Sequence, residues 1–147
     1  MTEPAAPPPA APDPALAPLI AAARAARAHA YAPYSGFAVG AALRGADGRI
    51  FSGANVENAA YPQSQCAEAS AIGQMITAGE SAIAALVVIG GNHPCPPCGG
   101  CRQRLAEFAG PETPIHLCAP DGTLLQSVTL GALLPLAFGR DAVTGKP

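Results

Sequence analysis

The sequence predicts an α/β sandwich, and three observations predict it. Segments with helical and with strand-like patterning alternate along the chain. The run Leu86-Val87-Val88-Ile89 is continuously apolar, as a strand covered on both faces must be. Glycine, proline and Asp-Gly punctuation separates the segments. At 147 residues the chain fits one domain with room for a sizeable core.

The elements follow in order. Residues 1 to 14 contain only Met, Thr, Glu, Pro, Ala and Asp, with proline at six positions, so they are expected to be a disordered tail and residues 15 to 147 a single domain. Leu16, Leu19 and Ile20, followed by an Ala/Arg run to Ala30, predict a first helix that stops before Pro33, because the residue before proline avoids the helical region. Phe37, Val39 and Ala41 alternate up to the turn Ala46-Asp47-Gly48, and Ile50 and Phe51 resume beyond it, which predicts a β-hairpin. Residues 54 to 65 are polar loop. Cys66 through Ala78 carries helix formers and ends at Gly79, a natural cap, so Cys66 is expected at the mouth of a second helix with Glu68 in its first turn. The apolar strand at 86–89 terminates at Gly90-Gly91. Arg102 to Phe108 predicts a third helix, Ile115 to Leu117 a fourth strand, Leu124-Leu125 a fifth, and Leu130 to Leu136 a short last helix.

Composition excludes several functions. Half the residues are hydrophobic and only 12% are charged, which leaves more apolar surface than a small monomer exposes and favours an oligomer. A net charge of −2, with eight Lys and Arg scattered along the chain, offers no footprint for a phosphate backbone, so a small neutral substrate is expected and nucleic acid is not. There is no apolar run near the roughly 20 residues that span a bilayer, and no basic-then-apolar start, so no membrane partner and a cytoplasmic location are expected. Five cysteines, four of them in tight clusters, suit metal ligation better than a disulfide framework.

Two motifs belong together: Cys66-Ala67-Glu68 and Pro97-Cys98-Gly99-Gly100-Cys101. A catalytic zinc takes three protein ligands and keeps a fourth place for water, and one cysteine plus a Cys-x-x-Cys pair supplies three thiolates: Cys66, Cys98 and Cys101. The pair Cys95 with Cys98 has the same spacing. Against it, Pro96 and Pro97 offer sulfur no N–H group, whereas Gly99-Gly100 suggests a tight turn leading into a helix whose N-terminal end favours thiolate. A closed structural site using Cys95 or His93 as fourth ligand stays open as an alternative. Glu68, two positions after a ligand, is placed to serve as a general base, or else is merely a first-turn acid favoured by the helix dipole. Cys118 reads as core, and His29 and His116 as solvated or hydrogen-bonded.

With these residues laid out, the chain resembles the homotetrameric zinc-dependent cytidine deaminases, a group whose His/Cys-x-Glu and Pro-Cys-x-x-Cys signature is a standing example of zinc-site chemistry on nucleobases. The resemblance runs from about Ala32 to Gly139. It includes Tyr34-Ser35-Gly36-Phe37, the stretch Gly53-Ala54-Asn55-Val56-Glu57-Asn58-Ala59-Ala60-Tyr61-Pro62, both cysteine motifs, and Leu133-Leu134-Pro135-Leu136-Ala137-Phe138-Gly139. It implies a three-layer α/β/α sandwich with a central mixed five-stranded sheet, one zinc ion per chain and a homotetramer whose active sites are shared between subunits. It further implies that Asn55 and Glu57 bind the ribose hydroxyls, that Ala67 lies against the substrate, that Phe37 and Phe138 pack on the pyrimidine, and that Phe138 and Tyr61 reach a neighbouring subunit's site.

The activity so implied is hydrolysis of cytidine and 2′-deoxycytidine to uridine and 2′-deoxyuridine with release of ammonia, within pyrimidine salvage. In it Glu68 takes the proton of a zinc-activated water that attacks C4, protonates N3, and relays a second proton to the departing amino group. One departure stands out: many relatives carry arginine directly after the motif glutamate, hydrogen-bonded to the zinc thiolates, and this chain has Ala69, with Arg102 as a candidate replacement. Two rivals are a deaminase for an aminonucleoside such as blasticidin S and a non-catalytic zinc module with four thiolates. Asn55 with Glu57 favours a true ribose over the first. A polynucleotide editor would need a basic stacking channel.

Overall fold

A computed structural model describes residues 13–146 of the protein. The expected tail falls outside these residues apart from Asp13 and Pro14. Pro14–Leu16 form a 3-10 turn, with the Asp13 carboxylate accepting a hydrogen bond from the Ala15 N–H. The turn runs into α1 (Ala17–Arg27), where Pro18 takes a first-turn position that needs no N–H. Leu16, Leu19, Ile20 and Ala23 recur at helical spacing and are all buried.

The remaining elements are β1 (Gly40–Gly45), β2 (Ile50–Ala54), α2 (Ala67–Thr77), β3 (Ile83–Ile89), α3 (Gly99–Phe108), β4 (Pro114–Cys118), β5 (Leu124–Thr129), α4 (Leu130–Leu133) and α5 (Arg140–Thr144). The five strands form one mixed sheet in the order β2-β1-β3-β4-β5. Only β3 and β4 pair in parallel; β1 runs antiparallel to both β2 and β3, and β4 antiparallel to β5.

Strand alternation sorts the core into two halves. Ala41, Leu43, Leu86, Val88, Ile115 and Leu117 face α2, α3 and α4, where Ala67, Ala71, Met75, Leu105 and Leu130 meet them. Ala42, Val87, Ile89 and Cys118 point the other way, toward α1. The structure is therefore the expected α/β/α sandwich, and Cys118 is core.

This topology places the site. Because β2 and β3 are both antiparallel to β1, they end at the same edge of the sheet, and α2 and α3 both begin there. Gly53 lets α2 cross β2 closely: a Cβ at that position would stand 2.5 Å from the Ala71 backbone N. Side chains in the first turns of both helices therefore converge.

Four local differences from the sequence expectation have physical causes. The hairpin strand starts at Gly40, not Phe37, because the Val39 N–H is taken by the Asn55 side chain at 2.9 Å. Helix α3 starts at Gly99 instead of Arg102, so Gly99 and Gly100 are helical, neither has positive φ, and the tight-turn reading of the pair is replaced. The last expected helix stops at Leu133, since Leu134 precedes Pro135 and adopts φ −137°, ψ 69°. A further helix, α5, follows and was not anticipated; it ends at Gly145, whose φ is +64°.

Candidate metal centre and cleft

Cys66 is the N-cap of α2 and Cys98 the N-cap of α3, while Cys101 and Glu68 lie in the first turns of the same two helices. Sulfurs from positions 32 residues apart thus meet: Cys66 Sγ and Cys98 Sγ are 3.8 Å apart. All three sulfurs lie within 4.8 Å of one another, and this is the one such group of possible metal-holding side chains among the described residues. With Zn–S bonds of about 2.3 Å, the edge of a tetrahedron is about 3.8 Å, so the Cys66 to Cys98 spacing is that of two ligands on one zinc ion. Three sulfurs fit one zinc per chain with a coordination place to spare. Cys95, Glu68 and His93 fall outside the group, which is the arrangement of an open site and not of a closed four-ligand one.

The three thiols differ in how readily they ionise. Burial pushes the Cys66 thiol up, with the Cys98 charge adding to it, and burial pushes Cys101 up further, with Glu68 adding to it. Cys98 goes the other way, held down chiefly by the Cys101 backbone N–H. Two of the three thiols thus ionise only against burial, a cost that a divalent ion bound in exchange for their protons would offset.

Among the described residues Glu68 is the single buried charged one, 4% exposed, and its Oε2 accepts from Cys101 Sγ at 3.5 Å. Burial raises its carboxyl above the usual range. It lies on the wall of a cleft of about 260 Å³ that Cys66, Cys98, Ala67, Asn55 and Glu57 also line. The structure therefore brings together six residues singled out from sequence, joined by Cys101 just beneath. Val39, Ser64, Gln65, Cys95 and Pro96 complete the lining. Apart from Cys95, weighed only as a ligand, sequence reasoning missed these; Val39 alone carried a signal, as an apolar residue in the alternation ahead of β1.

Asn55 and Glu57 sit on a strip whose Val56 bridges Tyr31 on one side and Gln65 on the other. Their side chains are already engaged. Asn55 Oδ1 accepts from the Val39 N–H at 2.9 Å and Asn55 Nδ2 donates to Phe37 O at 2.8 Å. Glu57 accepts from Tyr34 N–H at 2.9 Å, Ser35 N–H at 3.1 Å and Ser35 Oγ at 2.5 Å, and the serine hydroxyl foremost keeps its carboxyl below the usual value. The two residues therefore build the loop as well as lining the cleft.

The aromatic candidates lie further out. Phe37 is half-exposed and outside the lining, its ring over Gly90 and Gly91. Tyr61, 71% exposed, meets Tyr34 edge-on at 5.8 Å, and both line a neighbouring cleft that shares Glu57 and Ser64 with the first. Phe138 is 64% exposed and does not line either cleft.

Arg102 does not replace the arginine absent at position 69. Its guanidinium donates to two carbonyl oxygens, Pro97 O at 2.7 Å and Leu133 O at 2.8 Å. Ala69 faces a second groove, beside Cys66 and Arg104.

Residues 16–117 match the sequence profile described as the cytidine and deoxycytidylate deaminase zinc-binding region. The chain is 42% identical over 124 residues to the cytidine deaminase of Sporosarcina psychrophila, covering 84% of this chain and 90% of that one. It is 43% identical over 118 residues to that of Mycobacterium tuberculosis strain H37Rv, covering 79% and 84%. Among solved structures, cytidine deaminase from Burkholderia pseudomallei superposes with a TM-score of 0.77 at 45% identity, covering 82% of this chain and 97% of that one. The Mycobacterium tuberculosis enzyme gives a TM-score of 0.71 at 41% identity, covering 82% and 94%.

Proposed function

The chain belongs to the cytidine and deoxycytidylate deaminase zinc-binding family, and from that premise we propose that it hydrolyses cytidine and 2′-deoxycytidine to uridine and 2′-deoxyuridine, releasing ammonia. The observation that carries this reading is the placement of Glu68 beside three clustered sulfurs in a cleft also lined by Asn55 and Glu57. Cys66, Cys98 and Cys101 would hold one zinc ion, which when bound would supply the Lewis acidity that lets a water lose a proton near neutral pH. Glu68 accepts that proton and delivers it to N3 of the ring as the water oxygen bonds to C4. It then passes the second water proton to the 4-amino group, the C4–N bond breaks, and ammonia leaves. Water and cytidine balance uridine and ammonia.

The remaining chain residues orient the nucleoside. Asn55 and Glu57 take the ribose hydroxyls, exchanging bonds they make within their own loop. Ala67, small and on the cleft wall, leaves room for the base, and Phe37, beside the cleft over Gly90, packs on the pyrimidine once the nucleoside is bound. The exposed apolar side chains of Tyr61, Leu136, Phe138 and Val143 support a homotetramer in which Tyr61 and Phe138 complete a neighbour's site. No helix among the described residues is long and apolar enough to cross a membrane; we place the enzyme in the cytoplasm, in pyrimidine salvage, without a nucleic-acid or membrane partner.

The test supplies cytidine, deoxycytidine, cytosine and cytidine monophosphate separately to zinc-loaded protein and measures ammonia and zinc per chain. Turnover of the two nucleosides with one zinc per chain is expected. Turnover of the monophosphate alone, or none with zinc bound, would overturn the reading.

A further inference from the structure

Arg27 lies near the end of α1, on the opposite layer from both cysteine helices, and is part-buried. Its Nε–H is shared between two carbonyl oxygens, Ala38 O at 3.1 Å and Gly90 O at 2.9 Å. Those oxygens belong to the two chain segments that flank the cleft: residues 37–39, leading into β1, and the turn that leaves β3 toward Cys95 and Cys98.

The first segment is pinned along its length. Ser35 Oγ accepts from the Phe37 N–H at 3.0 Å, Asn55 holds Phe37 O and the Val39 N–H, and Arg27 holds Ala38 O. Val39 lines the cleft. The second segment is the platform for its opposite side: a Cβ at Gly90 would stand 2.7 Å from Cys95 Cβ and 3.1 Å from Phe37 Cζ. Gly90 is thus where the Phe37 ring and the cleft-lining Cys95 approach one backbone atom. Helix α1 can deliver the arginine there because β1 opens with glycine; a Cβ at Gly40 would stand 2.1 Å from Ala23 O.

We propose that Arg27 is a positioning residue for the substrate cleft: its guanidinium ties the Phe37–Val39 wall to the Gly90 turn and so sets the width of the slot that receives the pyrimidine. This rests on the nucleoside reading above. A charged donor suits the task, because a carbonyl oxygen bonds more strongly to a cation than to a neutral N–H, and the one Nε–H is shared between both oxygens.

The experiment compares steady-state kinetics on cytidine for wild type, Arg27→Gln, Arg27→Lys, Gly90→Ala and Arg24→Gln, each checked for zinc per chain. Arg27→Gln is expected to raise KM about tenfold, the size of one lost charge-assisted hydrogen bond, with kcat within about twofold and zinc unchanged. Arg27→Lys should fall between it and wild type. Gly90→Ala, which disturbs the same spacing without touching the arginine, should show the same rise in KM. Arg24, whose Nε donates to Pro120 O elsewhere on the fold, is the control and should leave KM unchanged. An Arg27→Gln enzyme with wild-type KM overturns the proposal, as does one that loses kcat and zinc together with KM. Should that variant fail to fold, Arg27→Lys decides by the same criteria. Failure of the nucleoside reading shows instead in the wild type; amide exchange at 37–39 and 90–91, unchanged in Arg27→Gln, would then still overturn the clamp.

Discussion

Cys101 and Glu68 come from different helices, and the sulfur of one lies 3.5 Å from the carboxylate Oε2 of the other. That contact puts an acid–base group at the edge of the three-sulfur cluster without making it a member.

Glu68→Gln keeps the shape of this contact and removes its proton chemistry. The variant is expected to bind one zinc per chain and to lose turnover by about 10²- to 10⁴-fold, the range for removing a general acid–base group. Metal analysis beside an ammonia assay checks both halves, and a near-wild-type rate would remove Glu68 from its role.

The ligand set separates two neighbouring cysteines. Cys98→Ser should lower zinc content sharply, because its sulfur spans the tetrahedral edge with Cys66. Cys95→Ser should leave zinc content at one per chain, because Cys95 lines the cleft outside the sulfur group. The reverse pattern in metal analysis would identify a closed site of a different kind.

Gly53→Ala tests how closely α2 must lie on β2. The added methyl would meet the Ala71 backbone N at 2.5 Å and Ala67 O at 2.7 Å, neither of which can rotate away. A loss of about 1–3 kcal/mol in denaturant unfolding is expected. Weaker zinc retention should accompany it, since the displaced helix carries Cys66.

His116 provides a pH dependence with a definite sign. The ring is half-buried on β4, Nδ1 is 2.8 Å from Ser127 Oγ, and burial lowers its pKa below 6.5, an effect that Asp13 partly offsets. A histidine depressed in the folded state contributes stability that is fully present above 6.5 and is lost as pH falls through the folded value, where the unfolded chain binds the extra proton first. Wild type should therefore lose Tm on going from neutral to mildly acidic pH, and His116→Gln should lose less. Parallel melting curves for the two proteins would rule this out.

Much of the site was legible in the residues because its parts are local. Cys66 with Glu68, and Cys98 with Cys101, each occupy one helical turn, so sequence spacing alone puts a ligand and a proton carrier, or two ligands, on one helix end. Helix α2 and strand β3 were legible for the same reason: a run of helix formers closed by Gly79, or an unbroken apolar run, needs no partner to be seen. Asn55 and Glu57 were found by motif, but their double duty was not, since their partners at positions 34 to 39 are set by loop geometry.

The sequence by itself narrowed the metal-holding candidates to Cys66, Cys98 and Cys101, with Cys95 and His93 left open, and put Glu68 within one helical turn of a ligand, because those are matters of residue type and near-neighbour spacing. Only the tertiary structure decided that β2 and β3 end at one edge, so that Cys66 and Cys98 stand 3.8 Å apart. It alone decided that Cys95 is excluded from the cluster, that Arg102 is spent on carbonyl oxygens, and that Arg27 reaches Ala38 O and Gly90 O from the opposite layer. The contacts of Cys66 with Cys98, Arg102 with Leu133 and Arg27 with Gly90 join residues tens of positions apart, and their distances follow from strand order and helix packing, which no local pattern encodes.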